Sequence, residues 1–389
     1  MVSIQTADNA LKSFYLDAVA EALNYKANPF LAQIAQSTSN VVGKDVKKLL
    51  KGYKYGGVYA GSETGDLPKA EDTERLVLTA TLKNLYGTIE ISDKAMRAST
   101  NDEGAFVNLL NDEMQTLINR ASYNFSRMIF GDGNGFLTKF EGLTDDYAIV
   151  ENVDDLYVGM HVAIYDSLGE TIGGYEDIII TDIERETRKV YFDIDDTLFA
   201  DLTEDCSLNV VGAHGYELTG LKAIFNSSEL YGLDKGISPA LQPYVKKEVG
   251  DIDMITIQTA LDAIEQASGK GVNFIVCSWG VRRALVEYLR QNTVTPQSMD
   301  IMGGFKALSF NGIPVVADRF CPKGTMYLLN TDDFKIHQLC DWKWLEGEDG
   351  KILKQVPGKP VYTATLVKYA ELLCDRPNGQ GMLTGIAEM

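Results

Sequence analysis

The sequence predicts an α+β chain in which one long strand runs into one long helix and a small all-β, barrel-like domain is inserted further on. Three observations predict it. Between Leu76 and Ile91 apolar and polar residues alternate at the period of a strand. From Phe106 to Met128 apolar residues recur every three or four positions, the period of an amphipathic helix. Between Leu156 and Val211 the signals are for short strands joined by tight turns.

The elements follow in order. Residues 4–40 read as two helices parted at Asn28-Pro29. The first carries Leu11, Phe14, Tyr15, Ala18 and Ala22 on one face, widened by Val19 and Leu23, and needs a partner to cover that face. Lys51 to Gly65 (KGYKYGGVYAGSETG) sustains neither period and reads as an exposed loop tip, closed by Leu67-Pro68. The long strand puts Leu76, Leu78, Ala80 and Leu82 on one face and then changes phase to Ile89 and Ile91, which predicts a bulge near Asn84 to Gly87. The helix opens with Thr100 and Glu103 at capping-box spacing, carries Phe106, Leu110, Met114, Leu117, Ala121, Phe125 and Met128 on one face, and stops at Gly131.

The β module follows: YVGMHVAIYDS, a Gly173-Gly174 turn, EDIIITDIE, a turn at Glu186-Thr187-Arg188, KVYFDI and SLNVV, four or five strands of a small barrel or sandwich. After Gly250 the pattern is mixed. Helices are expected at Ile252 to Ser268 and Val281 to Arg290, with a buried strand at Phe274 to Cys277 between them. Leu308 to Phe310 and Ile313 to Ala317 flank Asn311-Gly312, a strong hairpin signal. Strands at Met326 to Leu329 and Phe334 to Leu339, and a long closing strand at Val361 to Leu373, complete the chain.

A chain of 389 residues with 45% hydrophobic content buries a real core and is neither disordered nor fibrous. The net charge of −19 is unevenly spread. Residues 150–213 hold sixteen acids against three bases, whereas residues 1–60 carry a mild basic excess. The acidic module repels nucleic acid, and the arm tolerates it nearby. Five scattered cysteines without a CxxC pair indicate neither a disulfide framework nor zinc. The N-terminus lacks a leader pattern and no apolar run is long enough to span a bilayer, so a protein kept in a cytoplasm is expected.

Few residues suggest chemistry. Lys189 to Phe199 (KVYFDIDDTLF) resembles the first signature of haloacid-dehalogenase-type phosphatases, which would make Asp193 the nucleophile and Asp195 the acid/base beside Mg²⁺. That fold needs a parallel sheet with helices between strands, but this segment reads as half of an antiparallel hairpin. GDGNG at Gly131 to Gly135 has neither the spacing of a phosphate loop nor the ligands of a calcium loop, and reads as a turn. His161, His214 and His337 show no ligand spacing. No catalytic, cofactor or metal residues are therefore assigned.

The order of segments resembles the major capsid proteins of tailed bacteriophages with the Hong Kong 97 fold. The resemblance rests on NPFLAQI (Asn28 to Ile34), VVGKDV (Val41 to Val46), YGGVYAGSETGDLPKAED (Tyr55 to Asp72), YGTIEISDKAMRAS (Tyr86 to Ser99), GAFVNLLNDEMQTL (Gly104 to Leu117), FGDGNG, FIVCS and FNGIPVVADRFCPKGTMYLLNTDDF. It implies an N-terminal arm (1–45), an extended loop with its ribbon (46–95) and a spine helix with the peripheral domain (96–147). An inserted acidic β domain (148–213), a connector (214–250), an axial domain (251–340) and a return to the peripheral domain (341–389) follow.

The implied function is an icosahedral shell, built from pentamers and hexamers of the chain around a phage genome and assembled in the host cytoplasm. A separate scaffolding protein, a portal and a decoration protein are the implied partners, with packaged DNA touched non-specifically and no membrane. A host-encoded encapsulin compartment is the alternative within that class, and the Mg²⁺-dependent phosphatase the alternative outside it. Candidate contacts between subunits are Tyr53, Tyr55 and Tyr59 of the loop, Leu67 that closes it, and Phe14 and Leu23 of the arm.

Overall fold

The computed structural model describes residues 16–26, 28–51, 60–65, 75–94, 103–144, 146–194, 202–203, 205–292, 297–300, 306–347 and 350–389. The chain divides into two compact units, one formed by Met1–Tyr123 with Ile224–Met389 and the other by Asn124–Ala223.

The first unit holds two main sheets. One is built on the closing strand Val361–Cys374, which pairs antiparallel with Phe334–Trp344 and with Lys83–Ser92. The other has seven strands in the order 244–246, 381–383, 326–329, 274–277, 313–317, 306–310, 297–300. Its helices are Met254–Ser268 and Trp279–Gln291. Asp253 caps the first through the Thr256 amide, and Ser278 caps the second through Val281. Ile257, Ile264, Val281 and Leu285 are buried with Ile275, Val315 and Leu328 in one core. The predicted hairpin is present: Phe310 pairs with Ile313, and Asn311 and Gly312 both take the positive φ that this turn demands.

The predicted long strand is two strands. Arg75–Thr81 pairs with Asp45–Lys51 over its whole length, then the chain breaks at Leu82 and Lys83–Ser92 joins the closing strand. The phase change therefore marks a change of sheet, two residues before the expected bulge. Leu78, Ala80 and Leu82 are buried before it, and Leu85, Ile89 and Ile91 after it.

The long helix spans Glu103–Phe130. Its 28 residues make about 42 Å. Thr100 of the expected capping box lies outside the described residues. Met114, Leu117 and Phe125 are buried as the spacing predicts, and Ile129 and Phe130 join them. Gly87 of the adjoining strand lets the helix come close, since a Cβ there would stand 2.8 Å from Leu117 Cδ1.

The N-terminal arm departs from the two expected helices. Leu16–Glu21 is helical and Ala22–Lys26 is a π-helical turn, but beyond Pro29 there is only the 3₁₀ turn Leu31–Gln33 and a strand, Ala35–Ser37, parallel to Lys335–His337. Asn28 is the reason. Its Oδ1 accepts from the Phe30 and Leu31 amides while its Nδ2 donates to Asp318 at 2.7 Å, which spends the capping group on a single turn. Phe30, fully buried, then sits edge-on to Phe334 at 5.1 Å.

In the second unit, strands 136–143, 148–150, 161–165, 178–184, 189–192 and 207–210 close into a six-stranded barrel. It takes in Phe136–Leu143, outside the 148–213 span expected of the inserted domain. Val150, Val162, Ile164, Tyr175, Ile180, Val190 and Leu208 fill it. Arg185 reaches across to donate to the Val153 and Leu156 carbonyls at 3.1 and 3.2 Å. Also in this unit, Arg127 near the end of the long helix forms a two-pronged ion pair with Glu217, both side chains 4% exposed.

Candidate assembly surface

The ribbon made by Asp45–Lys51 and Arg75–Thr81 has two unlike faces. Strand alternation sends Val46, Leu50, Leu78 and Ala80 inward, where all four are buried. Lys48, on the same parity, pairs with Asp375 and ties the ribbon to the end of the closing strand. The opposite parity holds Lys47, Leu49 and Lys51 against Thr79, Val77 and Arg75. Leu49 and Val77 stand directly opposite each other, 49% and 52% exposed, between cationic neighbours. Cross-strand apolar pairs of this kind normally face a core. Here the pair makes an apolar strip on the solvent side of the chain.

Of the candidate contacts read from the sequence, Tyr53, Tyr55, Tyr59, Leu67 and Phe14 lie outside the described residues. Residues 60–65 between them form an exposed turn. Leu23 is described and corrects the expectation: it has no exposed surface within its own chain, as is true of Val19, so neither is free to meet a neighbour. The short helix Leu16–Glu21 packs on strand Phe334–Trp344 of the same chain, which supplies the cover that the amphipathic pattern demanded. Leu49 and Val77 were missed, although the signal was legible: each is apolar at the solvent parity of an alternating strand.

The phosphatase-like motif falls on the barrel. Lys189–Phe192 pairs antiparallel with both 178–184 and 148–150, so the strand is not part of a parallel βα sheet. Asp193 is exposed beyond it, its amide donating to the Ile179 carbonyl at 2.9 Å, and Asp195 lies outside the described residues. The three histidines are held in separate contacts: His161 on Asp177 at 2.7 Å, His214 stacked on Tyr165, and buried His337 on the Ser39 carbonyl at 3.0 Å. Asp132 of GDGNG accepts from the Asn134 amide at 3.0 Å in a local turn. All five cysteines are free, four of them buried, and burial pushes the Cys277 thiol up to about 12.

Among solved structures, the chain is similar to the cyanophage A-1(L) capsid asymmetric unit at 12% identity, with 94% of this chain and 92% of that one covered and a TM-score of 0.54. The fold is the Hong Kong 97 capsid fold. Weaker likenesses to this capsid fold are a holo-encapsulin complex from Synechococcus elongatus (9% identity, 93% and 89% covered, TM-score 0.47) and the capsid of a native GTA particle (11%, 93% and 91%, 0.46). At those TM-scores neither bears on function. No family model and no curated protein matches the sequence.

Proposed function

We propose that this chain is the shell-forming protein of a tailed phage, joining copies of itself as pentamers and hexamers into the icosahedral capsid around the genome. The supporting observation is the capsid fold carried over nearly the whole chain. The ribbon strip gives that reading a physical contact, since exposed cross-strand apolar pairs gain from being covered by a neighbour. Leu49 and Val77 would meet the adjacent subunit, with Tyr53, Tyr55, Tyr59 and Leu67 further along the same loop and Phe14 on the arm. The acidic barrel faces away from packaged DNA, and is the surface a decoration protein would use; a scaffolding protein and a portal complete the assembly in the host cytoplasm. No catalytic role is assigned to Asp193, and Asp193→Asn is expected to leave assembly unchanged.

Light scattering and negative-stain imaging of the purified chain test this. Closed shells, or pentamers and hexamers, are expected, and Leu49→Asp with Val77→Asp is expected to leave folded monomers. A wild-type chain that stays monomeric even when co-expressed with its scaffolding protein would sink the reading.

A further inference from the structure

The barrel carries two tyrosine rings in contact on its outer wall. Val190 and Ala148 are register partners with no exposed surface, so the neighbouring pair, Lys189 and Ile149, faces outward. One step along the same register, Tyr191 lies across from Tyr147, which immediately precedes strand 148–150. The ring centroids are 5.7 Å apart and the planes tilted at 56°, within the range of touching aromatic pairs, and both side chains are half-buried. A small solute can therefore reach them.

The phenol of Tyr191 has a base at hand. Its OH donates to Glu184 Oε1 at 3.2 Å, and Thr187 Oγ1 donates to Glu184 Oε2 at 2.6 Å. The Thr187 bond, helped by Lys189, holds the Glu184 carboxyl below its ordinary value, so it is ionised and ready to take a proton. Lys189 Nζ stands 3.8 Å from Glu184 Oε2 and 4.4 Å from the centroid of the Tyr147 ring. A cation over Tyr147 disfavours removal of an electron there, whereas the carboxylate beside Tyr191 favours it.

We propose that Tyr147 and Tyr191 are a modification site, at which a one-electron oxidant joins the two rings, ortho carbon to ortho carbon, as a dityrosine within one barrel. Tyr191 loses the first electron, and its phenol proton, made strongly acidic by that loss, passes to Glu184. Tyr147 loses an electron to a second equivalent of the oxidant and its proton to water. The two phenoxyl rings, already in contact, couple through a new carbon–carbon bond. The hydrogen displaced from each ortho carbon moves to the oxygen of its own ring. Two electrons have gone to the oxidant and two protons to water, Glu184 handing on the one it took, so the product is the chain less two hydrogens. The link would tie strand 189–192 to the start of strand 148–150, which has only three residues. It depends on contacts inside the barrel and stands whether or not shells form.

Oxidation of the dilute, purified full chain by a photoexcited ruthenium complex, with persulfate as the electron sink, tests it. The expected product is a monomer two hydrogens lighter with the blue fluorescence of dityrosine, and fragmentation is expected to join the peptides that hold residues 147 and 191. Tyr147→Phe and Tyr191→Phe, which keep the rings, should each remove that link and most of the fluorescence while circular dichroism shows the native fold. Glu184→Gln should slow the link several-fold, with the rate recovered by an added buffer base. A folded wild-type chain that gives no such link overturns the proposal. So does a link that forms mainly between chains, or mainly elsewhere among the nineteen tyrosines, such as between Tyr86 and Tyr369, whose phenols are hydrogen-bonded to each other. An unchanged rate in Glu184→Gln overturns the role given to that carboxylate.

Discussion

Gly220 has no room for a side chain: a Cβ there would stand 2.6 Å from the carbonyl oxygens of Ile129 and Gly131 and closer still to that of Met128. Backbone carbonyls at a helix end cannot retreat as a side-chain tip can. Gly220→Ala is therefore expected to cost about 3 kcal/mol or more, read as a fall in the denaturant midpoint. The Arg127–Glu217 pair makes a second test. Arg127→Met leaves a buried carboxylate alone and should cost about 3–5 kcal/mol, while the double change to Met and Leu should recover much of it. His337 carries a pH dependence. Burial holds its imidazole below the ordinary histidine value, with Lys48 and Lys335 adding to that against the Ser39 carbonyl and Asp375. Its Nε2 has no partner among the described residues. A folded value below the unfolded one means that the unfolded chain takes the proton first. Stability is thus full above about pH 6.5 and falls as pH drops through the folded value. The difference in denaturant midpoint between wild type and His337→Asn, followed from pH 7.5 to 5 (roughly the titration range of histidine), should show it; a flat difference would refute it.

At the scale of elements, period made the long helix, the closing strand and the two helices of the seven-stranded sheet legible, and the Asn311-Gly312 turn signal did the same for the hairpin. What it could not reach were decisions made by distant partners. The arm after Pro29 has helical spacing, but Asn28 is engaged by Asp318 and Ala35–Ser37 is claimed by Lys335–His337, both some 300 residues away. Phe136–Leu143 was passed over because only barrel closure reveals it as a strand. Of the candidate surface, the loop tyrosines lie outside the described residues; Leu49 and Val77 were legible as apolar residues at the solvent parity of alternating strands, but only the pairing register sets them opposite each other. The barrel also carries a prediction. Gly135 and Val210, at its entry and exit, are bonded to each other at 2.9 Å, amide to carbonyl. Replacing residues 136–210 by a short Gly-Ser linker should leave the first unit folded, with its near-UV dichroism and cooperative melt retained; a molten remainder would show that the barrel is needed to fold it.

For the whole molecule, the order of strands in space matters as much as their number. The closing strand Val361–Cys374 is central to one sheet, and Gly381–Leu383 is an interior strand of the other, parallel to Tyr244–Lys246 on one side and antiparallel to Met326–Leu329 on the other. Deleting residues 375–389 should accordingly cost far more than a frayed tail: loss of near-UV dichroism and precipitation are expected, and a soluble, cooperatively melting product would contradict the topology. The same placement sets a clock on synthesis. Each of these strands emerges from the ribosome after every segment it pairs with, so a nascent chain carries two unfinished sheets until residue 383 has been made. Neighbouring chains on one messenger are held in a state that cannot yet present a completed subunit. If the chain forms a shell as proposed, its growth would have to wait for the synthesis of both sheets.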